Sequence, residues 1–184
     1  MSEAAKTLRA FPFAVVLAFA AIGVSRMPPP LLPAVGGPEF TAATREALIR
    51  LRRTSHYAMV TRYVAEIREA KCSGMNVYGP KPAYEVGKPT WSAGAIWYAG
   101  TIAHDAHHSR LYFEEKAALG GQEPNELVWT GAEAEKKCLK VQYDALKELR
   151  ADDATLAYIV DLSSAPTYQN VGANLPDPCD ARNW

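Results

Sequence analysis

Three of the chain's four histidines fall within five residues, in the run His104-Asp105-Ala106-His107-His108. The residues around it read as a helix, from about Ser92 to Leu119. On a helix, side chains four apart rise on the same side, one turn from each other. His104 and His108 can therefore bring two imidazoles to one metal ion, with zinc the natural guest for nitrogen ligands. Asp105 directs a carboxylate to the adjoining side. His107 is also spaced to share an ion with His104, the alternative being a half-exposed helix histidine that bonds a neighbouring segment. The remaining histidine, His56, stands near the start of another helix and reads as helix surface.

A zinc site that leaves one position for water needs a third protein ligand. Two later glutamates compete for that role, Glu133 and Glu135, both on a helix expected from about Gly131 to Leu149. Thr130 and Glu133 have the spacing of a capping box, which explains Glu133 locally. Lys137, Lys140 and Asp144 continue its side as a solvated face. Glu135 shares its stripe with Cys138, Gln142, Leu146 and Leu149, a presumed buried face. A buried acid needs a partner, because an unpaired buried charge is costly. Glu135 is thus chosen as third ligand. Convergence of the His104 and His108 nitrogens and the Glu135 carboxylate to within about 4 to 5 Å would make a shared ion credible.

The segment Trp97-Tyr98-Ala99-Gly100-Thr101-Ile102-Ala103-His104-Asp105-Ala106-His107-His108-Ser109, with Glu135 on a later helix, resembles the glutamate-zincin group of zinc metallopeptidases. In that group His-Glu-x-x-His lies on one helix and a glutamate on the next completes the site. The likeness spans roughly residues 55 to 150. It implies a small α+β domain, mostly helical, with a short β-hairpin or sheet beside the metal-site helix. It also implies Zn2+ held by His104, His108 and Glu135, Asp105 as catalytic base, and a peptide or protein substrate extended along the hairpin edge. Asp105 departs from the pattern by one methylene. Its carboxylate sits about 1.5 Å further back, the length of one C–C bond, and misplacement on that scale can cost about a hundredfold in rate. The implied activity is therefore a zinc-dependent hydrolase, weakened at its base. The alternative is an exported, non-catalytic binding or scaffold domain of the same type.

The elements that must position these groups follow from pattern. A chain of 184 residues suits one domain with flanking segments. Lys6 and Arg9 precede an uncharged run from Phe11 to Val24. That run is shorter than the roughly 20 residues a spanning helix needs. Residues 1–25 therefore read as an export signal or a signal anchor, which makes the protein periplasmic or secreted, or membrane-anchored through residues 11–24. Residues 26–40 are rich in Pro and Gly and read as a linker, residues 41–165 as the domain, and residues 166–184 as a tail. A first helix is expected from Thr41 toward Arg53, and a second after Ser55 through Val60, Val64 and Ile67. Turn residues between Cys72 and Thr90 frame two short strands, Met75 to Tyr78 and Ala83 to Val86, as a hairpin. Ser92 is a plausible cap for the long helix, and Gly120-Gly121 end it. A last helix or strand covers Leu156 to Leu162.

Other chemistries are not supported. Lys+Arg and Asp+Glu are equal at 20 each, so no basic surface recommends nucleic acid. There is no Gly-x-Ser-x-Gly, phosphate-binding loop or dinucleotide fingerprint. Cys72, Cys138 and Cys179 permit one disulfide and one free thiol, and no Cys-x-x-Cys pair suggests a thiolate cluster. Cys138, on the buried stripe, reads as packing or a disulfide. Tyr57, Tyr78, Tyr98 and Tyr112 read as half-buried aromatics that can also line a cleft.

Overall fold

A computed structural model of the chain describes residues 30–164, so the expected export signal and the C-terminal tail lie outside the described residues. Within them the fold is α+β and mostly helical, with one small four-stranded sheet. In chain order the elements are β1 (Ala34–Val35), α1 (Pro38–Leu51), α2 (Tyr57–Tyr63), β2 (Glu66–Glu69), β3 (Gly74–Asn76), β4 (Ala83–Val86), α3 (Lys88–Trp91), α4 (Ala95–Ala118), α5 (Leu127–Thr130), α6 (Ala132–Glu148) and α7 (Asp153–Ser164). None of the described helices is long and apolar enough to cross a membrane.

The 24-residue α4 is the central element. It packs against α1, α2, α5, α6 and the sheet. Tyr98, Ala99, Ile102, Ala103 and Ala106 are fully buried on it. A helix apolar around most of its circumference belongs in a core. Its small residues let neighbours approach. At Gly100 a Cβ would stand 2.9 Å from both Cγ and Cδ2 of Leu146 and 3.3 Å from Cγ of Gln142. The glycine therefore sets how closely α4 and α6 pack. Two polar bonds inside this apolar mass fix the helix further. The hydroxyls of Tyr98 and Thr44 share a hydrogen bond of 2.9 Å, and Ser109 Oγ donates to the Tyr63 carbonyl at 2.7 Å.

The sheet runs in the order β1-β2-β4-β3. β2 lies parallel to both β1 and β4, and β3 pairs antiparallel with β4, Met75 opposite Tyr84. The expected hairpin is therefore present, as one edge of a larger sheet. Side-chain alternation along β4 sends Tyr84 and Val86 into the core, while Glu85, on the other face, accepts a hydrogen bond from Asn76 Nδ2 at 3.0 Å.

Three expectations about boundaries are corrected. The second helix stops at Tyr63. Val64 is already extended (φ −123°, ψ 128°), and Ile67 sits in β2, paired with Tyr84. Both are β-branched, so they suit the pleated surface better than the helix that their spacing from Val60 imitates. The segment read as linker is partly folded. Ala34 and Val35 bridge to β2, and α1 begins at Pro38, whose missing N–H costs nothing in a first turn. Ser92 closes the short α3 and does not open α4, which starts after Gly94, whose φ of 109° an L side chain rarely adopts.

Candidate metal centre

The antiparallel pairing of α4 and α6 brings four metal-ligating side chains together in two pairs. His104 and His108 lie one turn apart on α4. Glu135 and Cys138, three apart, share the facing side of α6. The two Nε2 atoms of His104 and His108 are 3.0 Å apart. Glu135 reaches both rings, with Oε2 3.2 Å from His104 Nε2 and Oε1 3.3 Å from His108 Nε2. Nitrogen and oxygen ligands placed tetrahedrally at zinc distances of about 2.0–2.1 Å lie about 3.3 Å from one another. The observed spacings are compatible with a shared ion, and they are also those of direct hydrogen bonds and ion pairs among the three side chains. Cys138 closes the group. Its sulfur and one nitrogen of each histidine lie within 4.8 Å of one another, and all three residues are buried. The buried group His104, His108 and Cys138 could hold a metal ion.

The protonation pattern also fits. His108 Nδ1–H donates to the backbone carbonyl of Trp129. A carbonyl only accepts, so one proton is fixed on Nδ1, and only when the ring loses its second proton is a lone pair left on Nε2, toward His104 and Glu135. Trp129 is held by α5, which turns into α6 at Gly131. A Cβ on Gly131 would lie 2.5 Å from the Leu127 carbonyl oxygen. Aromatic packing supports the same corner, since Trp129 meets Tyr112 and Tyr78 edge to face. Glu135 Oε2 is buried, and no donor meets it in hydrogen-bond geometry although His104 Nε2 is close.

The electrostatics couple these groups closely. Burial is the largest influence on Glu135 and by itself opposes ionisation, yet the contacts with His104 and His108 hold the carboxyl well below the usual carboxylate range. Burial likewise opposes charge on His108, and the contacts with Cys138 and Glu135 outweigh it and raise the ring well above its ordinary value. Burial pushes the Cys138 thiol up against the lowering effect of His108. In the metal-free site the protonated His108 ring thus supplies the positive charge that the Glu135 carboxylate faces, a buried ion pair.

The group opens onto a cavity of about 260 Å³ between α4, α6 and the β3–β4 edge. Asp105 lines it beside His104 and His108. Burial raises the Asp105 carboxyl, and the two neighbouring histidines pull the other way. Deeper in the cavity are the Tyr84 hydroxyl and Gln142 Nε2. Both residues are 1% exposed, and neither atom has a partner in hydrogen-bond geometry. Asp105 and Thr101 are the polar neighbours of Tyr84.

The structure therefore brings His104, His108, Asp105 and Glu135 to one wall. Glu133 is elsewhere. It is exposed and accepts a 2.8 Å bond from Lys136. The capping box expected from it does not form, because Thr130 ends α5, its Oγ1 donating to the Glu126 carbonyl at 2.9 Å, and Gly131 takes the cap position. His107 is not among the residues lining the cavity. Burial, with Arg110 nearby, lowers its ring to about 4. His56 caps α2 beside Glu148. Sequence reasoning passed over Cys138, Tyr84 and Gln142 as site residues. The Glu135-x-x-Cys138 spacing was the available signal for the first. Nothing in sequence marked Tyr84 over the other tyrosines. Of the cysteines, Cys72 is disulfide-bonded and Cys138 is free.

No protein-family model matches the chain, and no curated protein or solved structure matches it.

Proposed function

We propose that the chain is a zinc-dependent hydrolase of peptidase type, with His104, His108 and Glu135 as ligands of the ion and Asp105 as the base. The observation that carries this reading is the approach of two imidazole nitrogens and a carboxylate to 3.0–3.3 Å of one another on the wall of a cavity. Bound there, zinc would polarise a carbonyl and lower the pKa of water to about 7. The chain's own groups supply the rest. Trp129 holds His108 in the ligating tautomer. Asp105, beside the ligands, accepts a proton and returns it to the leaving amine. The hydroxyl of Tyr84, beside Asp105 and Thr101, and the amide of Gln142 are donors for a substrate oxygen, where charge develops during attack. The β3 edge, which borders the cavity at Gly74 and Met75, offers backbone groups to an extended peptide.

A second reading is a metal-holding domain without hydrolysis. The short arm of Asp105 favours it, as does the thiol of Cys138 beside both histidines. Zinc analysis and peptide digestion test the proposal together. Purified full-length protein should retain about one zinc per chain and cleave members of a mixture of short peptides, with both properties lost in a His104→Ala variant. Retained zinc with no cleavage leaves the second reading. No zinc under zinc-replete conditions removes both.

A further inference from the structure

The hydrolytic reading uses three of the four ligating side chains and leaves Cys138 idle. Its burial suits a core residue, but its polar neighbour is the imidazole of His108. Cys138 is fully buried, yet it belongs to none of the three apolar clusters, although Leu139 and Leu146 on the same helix do. It touches His108 and stands opposite His104. Glu135 meets the histidines from the cavity side, with 18% of its side chain exposed, while Cys138 lies on the inner side with none. The two histidines thus meet Glu135 at 3.2–3.3 Å and Cys138 within 4.8 Å, so the one imidazole pair is common to both α6 side chains.

We propose that the Cys138 thiolate is the fourth ligand of the same ion, so that the centre rests closed as two imidazoles, one carboxylate and one thiolate. The inference rests on the metal reading above. A closed four-ligand set is the arrangement of structural zinc sites, and an open position is what catalysis needs. With the thiolate bound, the centre would hold no open position, and water or substrate would have to displace the sulfur to reach the ion. As the sulfur–metal bond forms, the Cys138 S–H proton leaves to solvent. As water or a substrate oxygen takes the position, that bond breaks and the sulfur takes a proton back. No electrons are transferred. The thiolate also decides the metal, since sulfur with imidazole favours zinc and cobalt and disfavours the hard ions magnesium and calcium.

Zinc K-edge X-ray absorption on the zinc-loaded full-length protein tests this directly. The expected result is one sulfur neighbour at about 2.3 Å beside nitrogen and oxygen at about 2.0–2.2 Å. In a Cys138→Ser variant the sulfur shell should vanish, and zinc affinity should fall by about 10- to 100-fold or more, since even outer-shell losses cost that much. A wild-type spectrum with only nitrogen and oxygen neighbours overturns the role of Cys138 and leaves the three-ligand site standing. A sulfur shell that survives in Cys138→Ser overturns it too. Protein that retains no zinc overturns this inference and the metal reading together. The wild-type spectrum decides even if the serine variant does not fold.

Discussion

Gly100 faces Leu146 across the α4–α6 contact with room for a hydrogen and none for a methyl group, since a Cβ would lie 2.9 Å from Leu146 Cγ. The same contact, one and two turns further along α4, delivers His104 and His108 to Cys138 and Glu135. Helix propensity alone favours Gly100→Ala by about 1 kcal/mol. Overpacking a tight core costs about 1–3 kcal/mol, and Leu146 is fully buried, so it has nowhere to turn. The variant should be less stable in urea, by on the order of 1 kcal/mol. It should also bind zinc more weakly than wild type while remaining folded by circular dichroism. Unchanged zinc affinity would dissociate the helix spacing from the metal site.

Asp105→Glu separates a handicapped hydrolase from a scaffold. The longer arm advances the carboxylate by about 1.5 Å, and a placement error of that size is worth up to about a hundredfold. Peptide cleavage by the zinc-loaded variant should exceed wild type by a factor approaching that limit, with zinc content unchanged. If neither protein cleaves any peptide, the hydrolytic role of Asp105 is abandoned.

The sequence was most informative where chemistry and helical period coincide. His104 and His108 are one turn apart whatever else the chain does, and Glu135 sits on the same stripe as Cys138, Gln142 and Leu146, so burial of that stripe carries the carboxylate inward. The long helices and the hairpin were legible for the same reason. Boundaries that depend on partners were not. Val64 and Ile67 continue a helical spacing from Val60 but are taken into a parallel sheet whose partners, Ala34, Val35 and Ala83–Val86, are distant in sequence. Tyr84 was invisible as a site residue because its place in the cavity comes from the register of β4, set by those same pairings. Cys138 could have been read from its spacing to Glu135, but its place on the presumed buried stripe pointed toward packing or a disulfide.

His107 should act as an acid trigger for unfolding. Its ring has a folded pKa of about 4 against about 6.5 in an unfolded chain. Between those values the unfolded state binds more protons, so stability rises with pH there. No penalty exists above pH 6.5, and the loss accumulates as pH falls toward 4. Its partial exposure limits the effect to on the order of 1–2 kcal/mol. His107→Gln should therefore show a shallower decline in urea midpoint from pH 7 to pH 4 than wild type. Parallel declines would mean that other groups drive acid unfolding.

Tyr84→Phe offers the sharpest contrast between stability and activity. The Tyr84 hydroxyl is buried in the cavity beside Asp105 and Thr101, with a bond of good geometry to neither. An unsatisfied buried polar group costs about 1–3 kcal/mol, so removing the oxygen should leave the protein as stable as before or more so. If the hydroxyl is held ready for a substrate oxygen, its loss should lower kcat by about 10²–10³, as for other preorganised donors. KM should change little, because charge develops on that oxygen only during attack. Thermal unfolding and steady-state cleavage by the zinc-loaded variant measure the two effects separately. A variant that loses stability while keeping full kcat would identify Tyr84 as a core residue, bonded to Asp105 or Thr101, with no part in the reaction.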